Sequence, residues 1–191
     1  MHLRQTAING MCALAVLTIG TAPAHAQAGR ETFKATATVK TASDATTTAP
    51  VTITVDRKMS EREADALKAA FTAGGAAALR KALVGIPPTG SLQLGGGKPT
   101  PTRLTIERPT DKGRLLTIVT DQPVLFLGAG VPGAKPKEGY DFAVVDLEID
   151  ATGAGSGTLA PAAKVTVKQG AFTVEDYASE LVKLTGVKQV K

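Results

Sequence analysis

Residue types that carry chemistry are scarce in this chain. Among 191 residues there are one cysteine, two histidines, no tryptophan and only 4% aromatic residues. The scarce ones are also misplaced for catalysis, because His2, Cys12 and His25 all fall within the first 26 positions. Those positions read as a cleavable secretory leader. His2 and Arg4 form a short basic start, Met11 to Ile19 an apolar run, and Ala24-His25-Ala26 a small-x-small cleavage site. The apolar run is about nine residues, well short of the roughly 20 that a membrane-spanning helix needs. Asn9-Gly10-Met11 before Cys12 is not the Leu-x-small lead of a lipid-anchored cysteine.

Removal of the leader leaves residues 27–191, with no cysteine and no histidine. That excludes thiol catalysis, disulfides, a Ser-His-Asp triad and any zinc site built on imidazole or thiolate. No second long apolar run follows, so the mature chain is expected to have no transmembrane span and to reside in the periplasm or outside the cell. Its length suits one domain with its own core.

Charge of one sign is not concentrated either. The chain carries 22 basic and 17 acidic residues, a net +5. The tightest basic groups are Arg57-Lys58, Arg80-Lys81 and Lys135-Pro136-Lys137. Nucleic-acid binders cluster lysine and arginine and interleave aromatics for stacking. Neither pattern occurs here, and no nucleic-acid partner is expected.

What the mature chain does contain is alternation. In Glu31 to Lys40, Phe33, Ala35, Ala37 and Val39 alternate with Lys34, Thr36, Thr38 and Lys40, the period of a half-buried strand. The Ala/Thr-rich stretch 41–49 reads as a loop, and Val51, Ile53 and Val55 open a second strand. Ser60 and Glu63 form a capping box ahead of Ala64, Leu67 and Phe71, so a helix starts there. Gly74-Gly75 ends it, and a second short helix from Ala76 to Val84 stops at Gly85 before Pro87-Pro88.

From residue 91 onward strands are separated by Gly/Pro turns. Arg103 to Ile106 and Arg114 to Ile118 read as two paired strands joined by a hairpin at Pro109 to Gly113. Val124 to Leu127 reads as a strand buried on both faces, and Phe142 to Asp150, Ala163 to Lys168, Ala171 to Asp176 and Leu181 to Val190 as further strands. No strand–helix–strand alternation recurs, which excludes a parallel α/β sheet. The expected fold is mainly β (α+β): an antiparallel β-sandwich or barrel of about eight to ten strands with a short two-helix insertion near residues 60–84.

Two places have the residues for a site. Gly128-Ala129-Gly130-Val131-Pro132-Gly133 matches GxGxxG, but Pro132 and Pro136 prevent the helix whose amides would face a pyrophosphate. Gly95-Gly96-Gly97-Lys98 is followed by Pro99 where a P-loop needs a hydroxyl, so no nucleotide cofactor is expected. The 128–139 loop nevertheless exposes backbone amides beside cations, which makes Gly130, Gly133, Lys135, Lys137 and neighbouring Tyr140 candidate ligand-binding residues for an anion. Asp146, Glu148 and Asp150 share one strand face at about 7 Å spacing. They are the candidate metal ligands and, at that separation, a candidate glycosidase pair. The opposing expectation is a solvated face neutralised by Lys164, Thr166 and Lys168 on the neighbouring strand.

These features favour an exported, non-enzymatic β-rich protein with a binding or structural role in the cell envelope. The alternatives are a carrier of a small apolar or amphipathic ligand in a hollow barrel, and a carbohydrate-active hydrolase using paired carboxylates. The leader makes one firm prediction. N-terminal sequencing of the exported protein begins at Gln27; an intact Met1 chain recovered from the membrane fraction would exclude cleavage.

Overall fold

The computed structural model describes residues 29–40, 46–124, 139–168, 171–176 and 182–190. Nine strands and one kinked helix run in the order β1 (Glu31–Lys40), β2 (Thr46–Val55), α1 (Glu61–Val84), β3 (Gly90–Leu94), β4 (Thr100–Thr110), β5 (Gly113–Thr120), β6 (Phe142–Asp150), β7 (Ala154–Lys168), β8 (Ala171–Asp176) and β9 (Val182–Val190). Sheet order is β6-β5-β4-β3-β2-β1-β9-β7-β8, and β6 also pairs with β7. That extra pairing closes an antiparallel barrel of eight strands. The second half of β7 leaves the barrel wall and forms a hairpin with β8.

Closure gives the alternating strands a single inside. Phe33 and Ala35 on β1, Val51 and Ile53 on β2, Leu116 and Ile118 on β5, and Leu147 and Ile149 on β6 belong to one buried cluster. Eight strands enclose just enough room for such side chains. Size varies along the axis: β1 contributes Phe33 toward one end and Ala37 toward the other, where Ala37 stands between Ala49 of β2 and the larger Leu184 of β9. This interior is occupied by side chains, and an apolar ligand would have to displace them. Away from the face that the helix covers, outward positions carry lysine, threonine and carboxylates. A lipid-spanning barrel has the reverse arrangement, apolar outside and polar inside. No helix among the described residues is long and apolar enough to cross a membrane.

The helical insertion lies outside the barrel. Ser60 caps it, accepting from the Glu63 amide at 3.3 Å while its own amide donates to the Glu63 carboxylate at 2.9 Å. Gly75, at φ 65° and ψ −155°, adopts a conformation open to glycine alone. The resulting kink splits the helix into the two short segments expected from Gly74-Gly75. Both segments therefore reach the same surface, and Leu67, Leu79 and Leu83 pack with Val119, Phe142, Val144, Ala160, Ala163 and Val165 in a second cluster. This explains why β6 begins as a continuous apolar run. Phe142 and Val144 face the helix, while Ala143 and Val145 face the interior.

The strands around the insertion are stapled at both of its ends. The Thr89 carbonyl accepts from the amides of Asp56 (2.8 Å) and Arg57 (3.2 Å), and the Met59 amide donates to the Thr105 carbonyl at 2.8 Å. The buried hydroxyls of Thr89, Thr102 and Thr105 bond one another.

Three details depart from the sequence reading. β2 begins at Thr46, inside the stretch read as loop, because β1 supplies partners as far as Lys40↔Thr46. β7 is fifteen residues long rather than six, because it serves the barrel wall and the hairpin in turn. Val124 is buried but lies outside any strand, held by its amide to the Pro161 carbonyl at 2.9 Å; the rest of the expected 124–127 strand is outside the described residues. The paired strands β4 and β5 do join at Asp111-Lys112, with Thr110 opposite Gly113.

Ser60→Ala is expected to lower stability by about 1 kcal/mol, and Leu67→Ala by about 2–5 kcal/mol. Urea denaturation of both variants beside the parent checks this. A silent Leu67→Ala would mean that the helix does not bury its apolar stripe on the barrel.

Candidate functional site

Asp146, Glu148 and Asp150 do share the outer face of β6, but the chain already uses two of them. Asp146 accepts from the Thr117 hydroxyl at 2.6 Å on neighbouring β5. Asp150 caps the β6–β7 turn, accepting from the Thr152 amide (2.8 Å), the Thr152 hydroxyl (2.6 Å) and the Ala154 amide (3.1 Å). The hydrogen bonds from the Thr152 side chain and amide hold the Asp150 carboxyl below its ordinary pKa. Glu148 is exposed. No metal-binding group of three such residues occurs among the described residues. The expected lysine neighbours are also misassigned. Thr158 and Ser156 stand opposite Asp146 and Glu148, whereas Lys164 lies further along β7, opposite Glu175 of β8. The reason is the length of β7, which shifts its lysine-bearing half out of the barrel wall.

Of the loop candidates, Gly130, Gly133, Lys135 and Lys137 lie outside the described residues. Tyr140 is buried, 7% exposed, and so is part of the packed body.

The structure brings together a charge cluster that sequence spacing does not reveal. At the barrel end where β1 begins and β5 begins, the inward positions become Glu31, Glu107 and Arg114. Arg114 donates to Glu31 at 3.0 Å, to Glu107 at 2.9 Å and to the Gln189 side-chain carbonyl at 3.2 Å. Its guanidinium carbon sits 5.8 Å from the centre of the Phe33 ring, within cation–π range. Lys58 adds a second cation against Glu107 and Glu31. Two cations meet two carboxylates, so the group is neutral and caps the apolar interior. An open cleft of about 590 Å³ adjoins it, lined by Glu107, Pro109, Gly113, Arg114, Asp150 and Gln189. Because the cluster satisfies its own charges, it acts as a plug more than as a receptor.

Partial burial pushes the Glu107 pKa up, but hydrogen bonds and charge from Lys58 and Arg114 outweigh this and hold it below its ordinary value. The Arg114 pKa is pulled down by burial and raised on balance by Glu31 and Glu107. Ionised Glu107 therefore stabilises the fold above the ordinary carboxylate range, and that contribution is lost as pH falls through its lowered folded value.

A different surface leaves its charges unanswered. On the outer faces of β1 and β9, Lys34 stands directly opposite Lys188, Thr36 opposite Thr185, and Thr38 opposite Lys183. On the other side of β1, Thr52 pairs with Lys34 and Thr54 with Thr32. Lys34, Lys183 and Lys188 are exposed. No carboxylate occupies an outward position of β1, β2 or β9 among the described residues. The helix packs on β4 and β7, away from this wall. Alternation in residues 31–40 pointed to the Lys/Thr face of one strand; nothing in the sequence pointed to β9 as its neighbour.

No known family model, curated protein or solved structure matches the chain.

Arg114→Met is expected to cost about 2 kcal/mol at neutral pH, between the limits for exposed and buried pairs. The cost shrinks in acid as Glu107 takes up a proton. Urea melts at two pH values check this, and an Arg114→Met penalty independent of pH would dissociate the plug from its charges.

Proposed function

We propose that this protein is an exported, non-enzymatic binding module of the cell envelope, and that it binds through the bare Thr/Lys wall of β1, β2 and β9. One observation carries the reading: Lys34 faces Lys188 across paired strands with no countercharge on the wall among the described residues. Elsewhere on the barrel, arginines that stand beside a strand or strand end meet a carboxylate, as in Arg30–Asp56, Arg57–Glu63 and Arg103–Asp121. Like charges directly opposite on a sheet are destabilising, and an anionic partner would reverse that sign. Export rests on the leader, Met1 to Ala26. The non-enzymatic reading rests on the lack of histidine and cysteine after residue 26 and on solvated, internally bonded acids, where a general acid needs a desolvated carboxyl.

Cell fractionation tests the proposal. The mature protein is expected in the envelope fraction and to be released by high salt, which screens exposed charges. Lys34→Thr with Lys188→Thr is expected to appear in the soluble periplasmic or secreted fraction without salt. Cytoplasmic recovery would refute export, and unchanged retention of the double variant would refute binding through this wall.

A further inference from the structure

We infer that the partner of this wall is an acidic polysaccharide, a linear sugar chain bearing carboxylates, lying along β1. The inference rests on the reading of the β1–β9 wall as a binding surface, and names what binds there. Its first support is the placement of charge. Lys34 and Lys188 form a directly opposed pair, and Lys183 stands opposite Thr38, four residues further along β1. At a strand rise near 3.3 Å per residue that is about 13 Å away. A compact anion such as phosphate can meet the pair but not the third lysine. A linear polyanion running with the strand meets all three.

The second support is what lies between the charges. Thr36 and Thr185 stand opposite each other there, with Thr38 next on β1 and Thr48 beside it on β2. Each free hydroxyl both donates and accepts, which matches the hydroxyls that a sugar chain interposes between its carboxylates. The Thr185 hydroxyl has only a long contact, 3.5 Å, to the Thr36 carbonyl.

Other classes of partner lack what they need on this wall. Membrane association calls for apolar side chains that insert, and the exposed large apolar residue here is Val190, at the strand end. Single-stranded nucleic acid calls for stacking aromatics, and the outward positions of β1, β2 and β9 hold none. Protein interfaces centre on buried aromatic or aliphatic anchors. A second copy could offer its β6 acids, but Asp146 and Asp150 already accept hydrogen bonds within their own chain, which leaves the single carboxylate of Glu148 against three lysines.

The test uses the purified mature chain with uronic-acid oligosaccharides of graded length. Dextran, inorganic phosphate and phosphatidylglycerol vesicles are measured beside them, by calorimetry and sedimentation. Binding to the oligouronates is expected, weakened by salt, with affinity rising until the oligomer spans about 13 Å. Dextran and phosphate should bind negligibly. Lys34→Thr with Lys188→Thr should weaken binding by about tenfold or more, a change of at least about 1.4 kcal/mol, without lowering Tm, since threonine suits a strand and the like-charge contact is removed. Lys183→Thr should weaken long oligomers and spare disaccharides.

Phosphate binding as tight as the oligomers, or affinity independent of length, would overturn the polymer. So would vesicle binding without oligouronate binding, or self-association abolished by the lysine changes. If no oligouronate binds while the double variant still loses envelope retention, this inference fails and the binding wall stands. If retention is also unaffected, both fail.

Discussion

The β6–β7 pairing, which runs from Phe142↔Ala163 to Ile149↔Gly155, turns a row of strands into a tube, and a tube imposes one rule on all of its strands. Every second residue must fill the interior. Where the apolar residues run out, at the first positions of β1 and β5, the inward places fall to Glu31 and Arg114, which face space that water reaches poorly. They are tolerable only as a mutually neutralised group. Arginine suits the position better than lysine, because a planar guanidinium can lie on Phe33 while its several N–H groups reach Glu31, Glu107 and Gln189. Closure thus dictates both the hydrocarbon interior and its ionic stopper.

The same closure divides the outside. One side is apolar and covered by the kinked helix, which is why Phe142 and Val144 can be hydrophobic on an outward face. The far half of β6 is acidic, with Asp146 and Asp150 engaged in hydrogen bonds of their own and Glu148 exposed. The third side, β1 with β2 and β9, has neither cover nor countercharge among the described residues. That asymmetry is what the proposed binding role rests on: electrostatics on a wall instead of chemistry in a pocket. It is also compatible with residues 27–191 lacking imidazole and thiol.

Much of the local structure was legible in the sequence, because it depends on neighbours within a few residues. The Ser60/Glu63 capping box, the break at Gly74-Gly75, the Asp111-Lys112 hairpin and the alternation in residues 31–40 and 146–150 are of this kind. What escaped was long-range pairing. Whether a sheet closes depends on Phe142 meeting Ala163, and no period within either segment encodes that. The same blindness misassigned Lys164 to the acid row and hid the Arg114 cluster, whose members are separated by up to 83 residues along the chain. The Thr/Lys wall shares this fate. Lys34 is visible as an outward residue, but its opposition to Lys188 exists only once β1 and β9 lie side by side.

Threonine also decides what such a wall can do. A surface that grips a ligand with long flexible side chains loses about 0.5–1.5 kcal/mol for each one it immobilises. Threonine is β-branched, with χ1 already restricted, and on β1 and β2 it is mounted on a backbone that barrel closure holds in register. Its hydroxyls are therefore arranged before anything binds, and only the three lysines have substantial freedom to lose. A weak, repetitive ligand such as a sugar chain gains little from each contact. It would be held more effectively by this stiff array than by an equally charged but flexible one, and the absence of larger polar residues between Lys34 and Lys183 then has a physical cause.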